Sequence, residues 1–221
     1  MTRAIWHIGN AVVLTLLLAL PTAATAGAQR YEPLATSVRA ALHRAVSDRG
    51  APRLVFDSAE DGEYWLQEMS RRLERKIPDR LTRVEFLTSV QYEARRAGLD
   101  PQLVLGLIQV ESNFRKYSVS SAGARGYMQV MPFWVKQIGR ADDNLFHLRT
   151  SLRYGCTILR HYLDIESGNL FRALGRYNGS LGKAAYPNLV HQAWTQRWAY
   201  QPPPGRSAAQ GRSVTAAATS R

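Results

Sequence analysis

Apolar residues recur along this chain at three- and four-residue steps, and nowhere do apolar and polar positions alternate for long enough to make a strand. The pattern predicts a mainly helical fold. A short helix is expected over 36–46. A stronger one runs from Asp61, where Tyr64, Trp65, Met69 and Leu73 form a stripe that ends before Pro78. Thr82-Arg83-Val84-Glu85 has capping-box spacing and opens a further helix, with Val84, Leu87, Val90 and Tyr92 apolar, that stops at Gly98. Asp100 and Pro101 then suit the N-cap and first residue of the next helix. The small residues of 118–126 must be loop. Helices follow over 132–138 and 148–167, the latter carrying Leu148, Leu152, Cys156, Leu159 and Leu163 on one face. Asn169 caps a short helix through Arg176, residues 177–182 read as a second loop, and Pro187 opens a last helix to about Tyr200.

One polar position interrupts this pattern. In the helix that Asp100 opens, Val104, Leu107, Ile108 and Glu111 fall at i, i+3, i+4 and i+7, so a carboxyl group shares an apolar stripe. A carboxylate there is costly unless it is paired or protonated. Desolvation raises its pKa, and that is how a protein holds a general acid protonated near neutral pH. A glutamate leaning into solvent at a helix end fits the same spacing, and position alone leaves both readings open.

Composition sets the boundaries. The chain has 221 residues, 45% of them hydrophobic, enough for one domain with its own core. Residues 1–26 read as a secretory signal peptide: Arg3 and His7 at the start, an apolar run from Ala11 to Leu20, and Ala24-Thr25-Ala26 before the cut. The apolar run is too short for a membrane helix, which needs roughly 20 residues. Export to the periplasm as a soluble protein is therefore expected. Residues 27–98 are expected to be an N-terminal helical extension, 99–200 the domain that carries Glu111, and 201–221 a disordered basic tail. The single cysteine, Cys156, is expected buried and inert, with no disulfide and no lipid anchor at the cleavage site. A formal charge of +12 favours polyanionic partners. No nucleic-acid-binding pattern accompanies it, and export argues against that partner. The five histidines lie in no recognisable metal or nucleophile setting, so no cofactor or metal is expected.

The remaining chemistry falls to carboxyl groups, and here the chain resembles a known family. Glu111-Ser112-Asn113-Phe114, then Gly123-Ala124-Arg125-Gly126-Tyr127-Met128-Gln129, then Arg176-Tyr177-Asn178-Gly179 are similar to the three motifs of the soluble lytic transglycosylase domain, in order and at comparable separations. That family has the goose-type lysozyme fold and belongs to glycoside hydrolase family 23. The resemblance covers 99 to about 190. It departs at Tyr127, where leucine is usual, and at Arg176, where alanine is usual; Tyr127 is expected on the groove floor, where it bears on sugar preference. The resemblance implies cleavage of the β-1,4 bond between N-acetylmuramic acid and N-acetylglucosamine in peptidoglycan strands, closing a 1,6-anhydro ring without water. Glu111 serves in turn as acid and base. It further implies that Ser112 orients Glu111 or touches substrate and that Tyr177 donates to the Glu111 carboxylate. Met128 and Gln129 would line the sugar site, and Asn178 would hold the loop or a sugar amide. Asp142 and Asp143 stand as second carboxylates only for a hydrolytic version, and Trp134, Trp194 and Trp198 fit core positions better than sugar platforms. A lysozyme-type hydrolase, a non-catalytic wall-binding module and a wall-opening factor serving an unnamed envelope assembly remain alternatives.

Overall fold

The computed structural model describes residues 28–201. The expected signal peptide and, beyond Gln201, the expected tail lie outside them. Eight α-helices follow in chain order: α1 Thr36–Ser47, α2 Ala59–Leu73, α3 Arg80–Arg96, α4 Pro101–Ser112, α5 Phe133–Ile138, α6 Leu148–Ile165, α7 Leu170–Asn178 and α8 Ala185–Gln192. A π-helical turn, Ala193–Trp198, continues α8. Among the described residues the only β pairing is two isolated bridges, Val119 with Arg125 and Arg125 with Val130, inside the loop that follows α4. The fold is mainly helical, as its periodicity predicts.

The helix ends are set by side chains that satisfy free backbone amides. Asp100 caps α4 by accepting from the Gln102 amide at 2.8 Å, with Pro101 at N1, and Asn169 caps α7 through the Arg172 amide at 3.1 Å. The capping box expected at Thr82 does not form. Asp79 is the cap of α3, because its carboxylate takes both the Thr82 amide at 2.8 Å and the Thr82 hydroxyl at 2.6 Å. Once Thr82 donates to Asp79 it no longer competes for the cap, and the helix starts earlier. Similarly, α7 runs through Tyr177 and Asn178, which were expected in a loop; left-handed Gly179 ends it instead.

At the centre lies α4, buried all round from Leu103 to Ile108 rather than along one stripe. It packs on α8, the π turn and α3; α6 packs on α1, α3 and α7, and α2 on α3. Leu42 and Val46 of α1, Trp65, Met69 and Leu73 of α2, and Phe86, Leu87 and Val90 of α3 join the same core as α4 and α6. Each such side chain contributes about 1.5–3 kcal/mol when fully buried. The helices of 27–98 therefore share one core with the rest. Cys156 lies in it with no exposure, and burial pushes its thiol well above the usual range. Trp134 and Trp198 are buried too, and the Trp198 indole N–H donates to Gln109 at 2.8 Å. No helix among the described residues is long and apolar enough to cross a membrane.

Candidate active site

The packing of α4 decides where Glu111 goes. Its aliphatic residues are fixed against neighbouring helices, so the next inward position, one turn beyond Leu107 and Ile108, is Glu111, which is 4% exposed. The helix stops directly after it. Asn113 and Phe114 have positive φ values of 50° and 64°, and Phe114 is buried edge-on against Phe86 and Trp198. Glu111 is thus held in the last turn of α4, where the negative end of the helix dipole disfavours a carboxylate.

Among the described residues no cation pairs with Glu111. The Tyr186 hydroxyl, at the start of α8, donates to Glu111 Oε1, while Oε2 is buried without a hydrogen-bond partner. Burial pushes the Glu111 carboxyl up to about 8, and the opposing effect of the Tyr186 hydrogen bond is smaller. At neutral pH the group therefore carries its proton. The structure favours the inward glutamate over one leaning into solvent.

The other expected site residues sort differently. Tyr177 is fully buried beside Glu111, and burial first, with the nearby Glu111 carboxyl second, raises its phenol pKa. Its hydroxyl, however, donates to the Met128 carbonyl at 2.8 Å rather than to Glu111. The expected tyrosine contact is therefore corrected: Tyr186 makes it. Tyr186 escaped the sequence because Pro187 marked the expected helix start, leaving Tyr186 outside; α8 begins at Ala185 and turns Tyr186 inward. The preceding tyrosine–proline pair, at helical spacing with Val190, was the available signal.

Ser112 also acts on backbone. Its hydroxyl reaches the Tyr127 carbonyl at 2.7 Å and the Ile108 carbonyl at 3.2 Å, tying the loop to the end of α4 without touching Glu111. Gln129, with φ 48°, donates its amide to the Ser118 and Gly126 carbonyls, both at 3.0 Å, and is 1% exposed. Met128 is fully buried against Gly155 of α6, where a β-carbon would lie 2.4 Å from its sulfur. Neither side chain lines an open sugar surface; both brace the loop from within, because a left-handed turn needs its carbonyls satisfied. Tyr127 likewise packs its ring on Phe86 at 5.1 Å, in the core rather than on a groove floor. Asn178 is buried at the end of α7, and Arg176 pairs with Glu166 and with Glu32.

Asp142 and Asp143 are spent on their own loop. Asp143 accepts from the Tyr154 hydroxyl at 2.6 Å and the Arg140 amide at 3.0 Å. Asp142 pairs with Arg140 at 3.1 Å, and that guanidinium holds its carboxyl below the usual range. One protonated carboxyl group, positioned by a tyrosine, is what this arrangement offers to chemistry.

Residues 88–191 match the family model described as Transglycosylase SLT domain. The match begins inside α3, ahead of the expected boundary at 99. The membrane-bound lytic murein transglycosylase C of Mannheimia succiniciproducens is 46% identical over 48 residues, which is 22% of this chain and 13% of the relative. A protein of the same description from Actinobacillus pleuropneumoniae is 48% identical over 48 residues, with the same shares. The transglycosylase of Enterobacteria phage PRD1 is 36% identical over 99 residues, 42% of this chain and 36% of its own. The chain thus matches 13% of the length of the two murein transglycosylases C and 36% of the phage protein. No solved structure matches it significantly.

Proposed function

We propose, for a chain whose residues 88–191 match the transglycosylase SLT family model, that it is an exported peptidoglycan lytic transglycosylase with Glu111 as its acid and base. The observation that carries this reading is the Glu111 carboxyl itself: buried, protonated at neutral pH, fixed through Oε1 by Tyr186 and unpartnered at Oε2. A β-1,4-linked glycan of N-acetylmuramic acid and N-acetylglucosamine is the substrate class. Residues 1–26 direct export, the periplasm is the working compartment, and the positive charge draws the protein to a negatively charged wall polymer.

The chemistry balances on one carboxyl group. Glu111 gives its proton to the glycosidic oxygen as the bond from that oxygen to C1 of the muramic acid breaks. The resulting carboxylate is stabilised by the Tyr186 hydroxyl. It takes the proton of the sugar's own C6 hydroxyl as O6 bonds to C1, which closes the 1,6-anhydro ring and restores the acid. No water enters. Glycoside hydrolysis generally uses two carboxyl groups, the second to activate water or to attack. Asp142 and Asp143 are engaged in their own loop, which favours ring closure over a hydrolase on the same fold. Ser112, Gln129 and Tyr177 hold the loop and α7 around Glu111, and Asn178 ends α7 beside them.

Mass analysis of digested sacculi tests the reading. Wild type is expected to release anhydro-muramic ends and Glu111→Gln none, with wall binding retained. Water-added reducing ends would establish a lysozyme-type hydrolase instead. Equal behaviour of the two proteins would establish a binding module.

A further inference from the structure

The loop that follows α4 leaves Tyr117 in solvent, at 71% exposure. Its ring lies 5.9 Å from that of Phe146, and the Lys116 ammonium stands 5.2 Å over it. Phe146 in turn lines a hollow of about 810 Å³ whose walls come from the motif loop at Arg125, from α5 at Lys136 and from residues 139–146. That volume suits a sugar unit with its substituents. The walls are fixed in place. A β-carbon at Gly126 would come within 2.2 Å of the Leu145 carbonyl, so the motif loop and residues 139–146 meet without slack. Two carboxylates line the hollow, Asp142 and Asp143, and both are engaged: Asp142 with Arg140, Asp143 with the Tyr154 hydroxyl and the Arg140 amide. The cations are not. Among the described residues no carboxylate pairs with Lys116, Arg125 or Lys136, and all three are exposed. With Arg140 they outnumber the two carboxylates, and a concave surface of one net sign focuses its field on a ligand of the other.

We propose that this hollow is a binding site for a carboxylate-bearing stretch of wall glycan, additional to the residues that address Glu111. Tyr117 and Phe146 offer an apolar rim for the C–H face of a sugar ring. Arg125, Lys136 and Lys116 take the carboxylates of its lactyl or peptide substituents. Each exposed charge contact is weak alone, worth at most about fivefold in affinity. A polymer that engages several of them while another part of the strand lies at Glu111 gains through effective concentration, which a short saccharide cannot do. The hollow therefore favours long, anionic strands over short or uncharged ones. This inference rests on the wall-glycan reading of the protein, though its test reads binding rather than turnover.

The test measures cosedimentation with purified sacculi at low ionic strength in the Glu111→Gln background, with thermal melts to establish that each variant is folded. Lys136→Glu removes one attraction and adds a repulsion, and is expected to weaken binding about tenfold. Lys76→Glu makes the same charge change beyond the end of α2, which lines no part of the hollow, and is expected to cost no more than about twofold. Tyr117→Ala is expected to cost about fivefold. Added salt should erase the Lys136→Glu difference and leave that of Tyr117→Ala. Equal losses for Lys136→Glu and Lys76→Glu would reduce the effect to net charge and overturn the site, as would unchanged binding by folded Lys136→Glu and Tyr117→Ala. Either result leaves the lytic reading standing if wild type releases anhydro ends. Losses confined to Lys136→Glu and Tyr117→Ala, in a protein whose wild type releases none, sustain the site and remove the lytic reading.

Discussion

Two buried glutamates, each in the last turn of one of two adjacent helices, show how the same side chain becomes structure in one place and chemistry in another. Glu93 on α3 is wholly buried. Its Oε1 accepts from Arg153 of α6 at 3.1 and 2.9 Å, and its Oε2 from Arg96 at 2.9 Å. Arg96 in turn donates to the Ala45 carbonyl of α1 at 2.7 Å, so one carboxylate joins three helices. Glu111 on α4 is buried too, yet among the described residues it has one neutral donor and no paired cation. Burial penalises both anions; two guanidinium groups offset that penalty at Glu93, and protonation relieves it at Glu111. A compensated charge ties helices together. An uncompensated one is left with a proton to give.

Truncating each glutamate should separate these roles. Glu111→Gln is expected to lower turnover roughly 10³-fold, the scale of a lost general acid, in an assay of soluble glycan release. Glu93→Ala should leave turnover per folded molecule nearly intact but cost about 3–5 kcal/mol in denaturant unfolding, because Arg153 is left buried without its partner. Replacing Glu93 and Arg153 together by methionine should recover most of that loss. If Glu93→Ala abolished turnover in folded protein, the contrast would collapse.

The same contrast explains what was legible in the sequence. Glu111 stood out because its apolar neighbours are three, four and seven positions away on its own helix, a local pattern. Glu93 gave no signal, since its principal partner lies 60 positions away on α6 and pairing at that distance leaves no spacing to read. The helical class and most helix positions followed from periodicity and caps for the same local reason. The roles of Tyr177 and Tyr186 did not. Which tyrosine reaches Glu111 depends on how α7 and α8 rotate against α4, and a two-residue shift in the start of α8 hid the answer. Gln129 and Met128 were read outward from the motif alone; whether a motif side chain faces substrate or braces its own loop is fixed by packing against Gly155 and Ser118.

A pH series sharpens the comparison further. Glu111 titrates at about 8 in the folded chain, against 4.5 as its ordinary value. Between those values the folded state binds the additional proton, so folding stability declines as pH rises through this window. The favourable contribution is complete below about 4.5 and gone above about 8. Glu111→Gln should remove that slope and raise stability at alkaline pH, by on the order of a few kcal/mol. Unfolding curves from pH 4 to 9 for the two proteins supply the check. Identical slopes would mean that Glu111 is solvated, contrary to its burial.

The smallest expected effects discriminate most finely between the two tyrosines. Tyr186→Phe removes the donor that lowers the Glu111 pKa, so the alkaline limb of the pH–rate profile should move upward. The developing carboxylate also loses its hydrogen bond, and the maximal rate should fall about tenfold, or about 1.4 kcal/mol. Tyr177→Phe removes a different bond, the one to the Met128 carbonyl. It should cost about 1–2 kcal/mol of stability by leaving that buried carbonyl unsatisfied. Its pH–rate limb should stay where it is, because no hydrogen bond to Glu111 has been lost. The reverse outcome, a moved limb for Tyr177→Phe and a fixed one for Tyr186→Phe, would mean that Tyr177 rather than Tyr186 addresses the carboxyl during turnover. α7 would then have to rotate when substrate binds, carrying the Tyr177 hydroxyl from the loop to the acid.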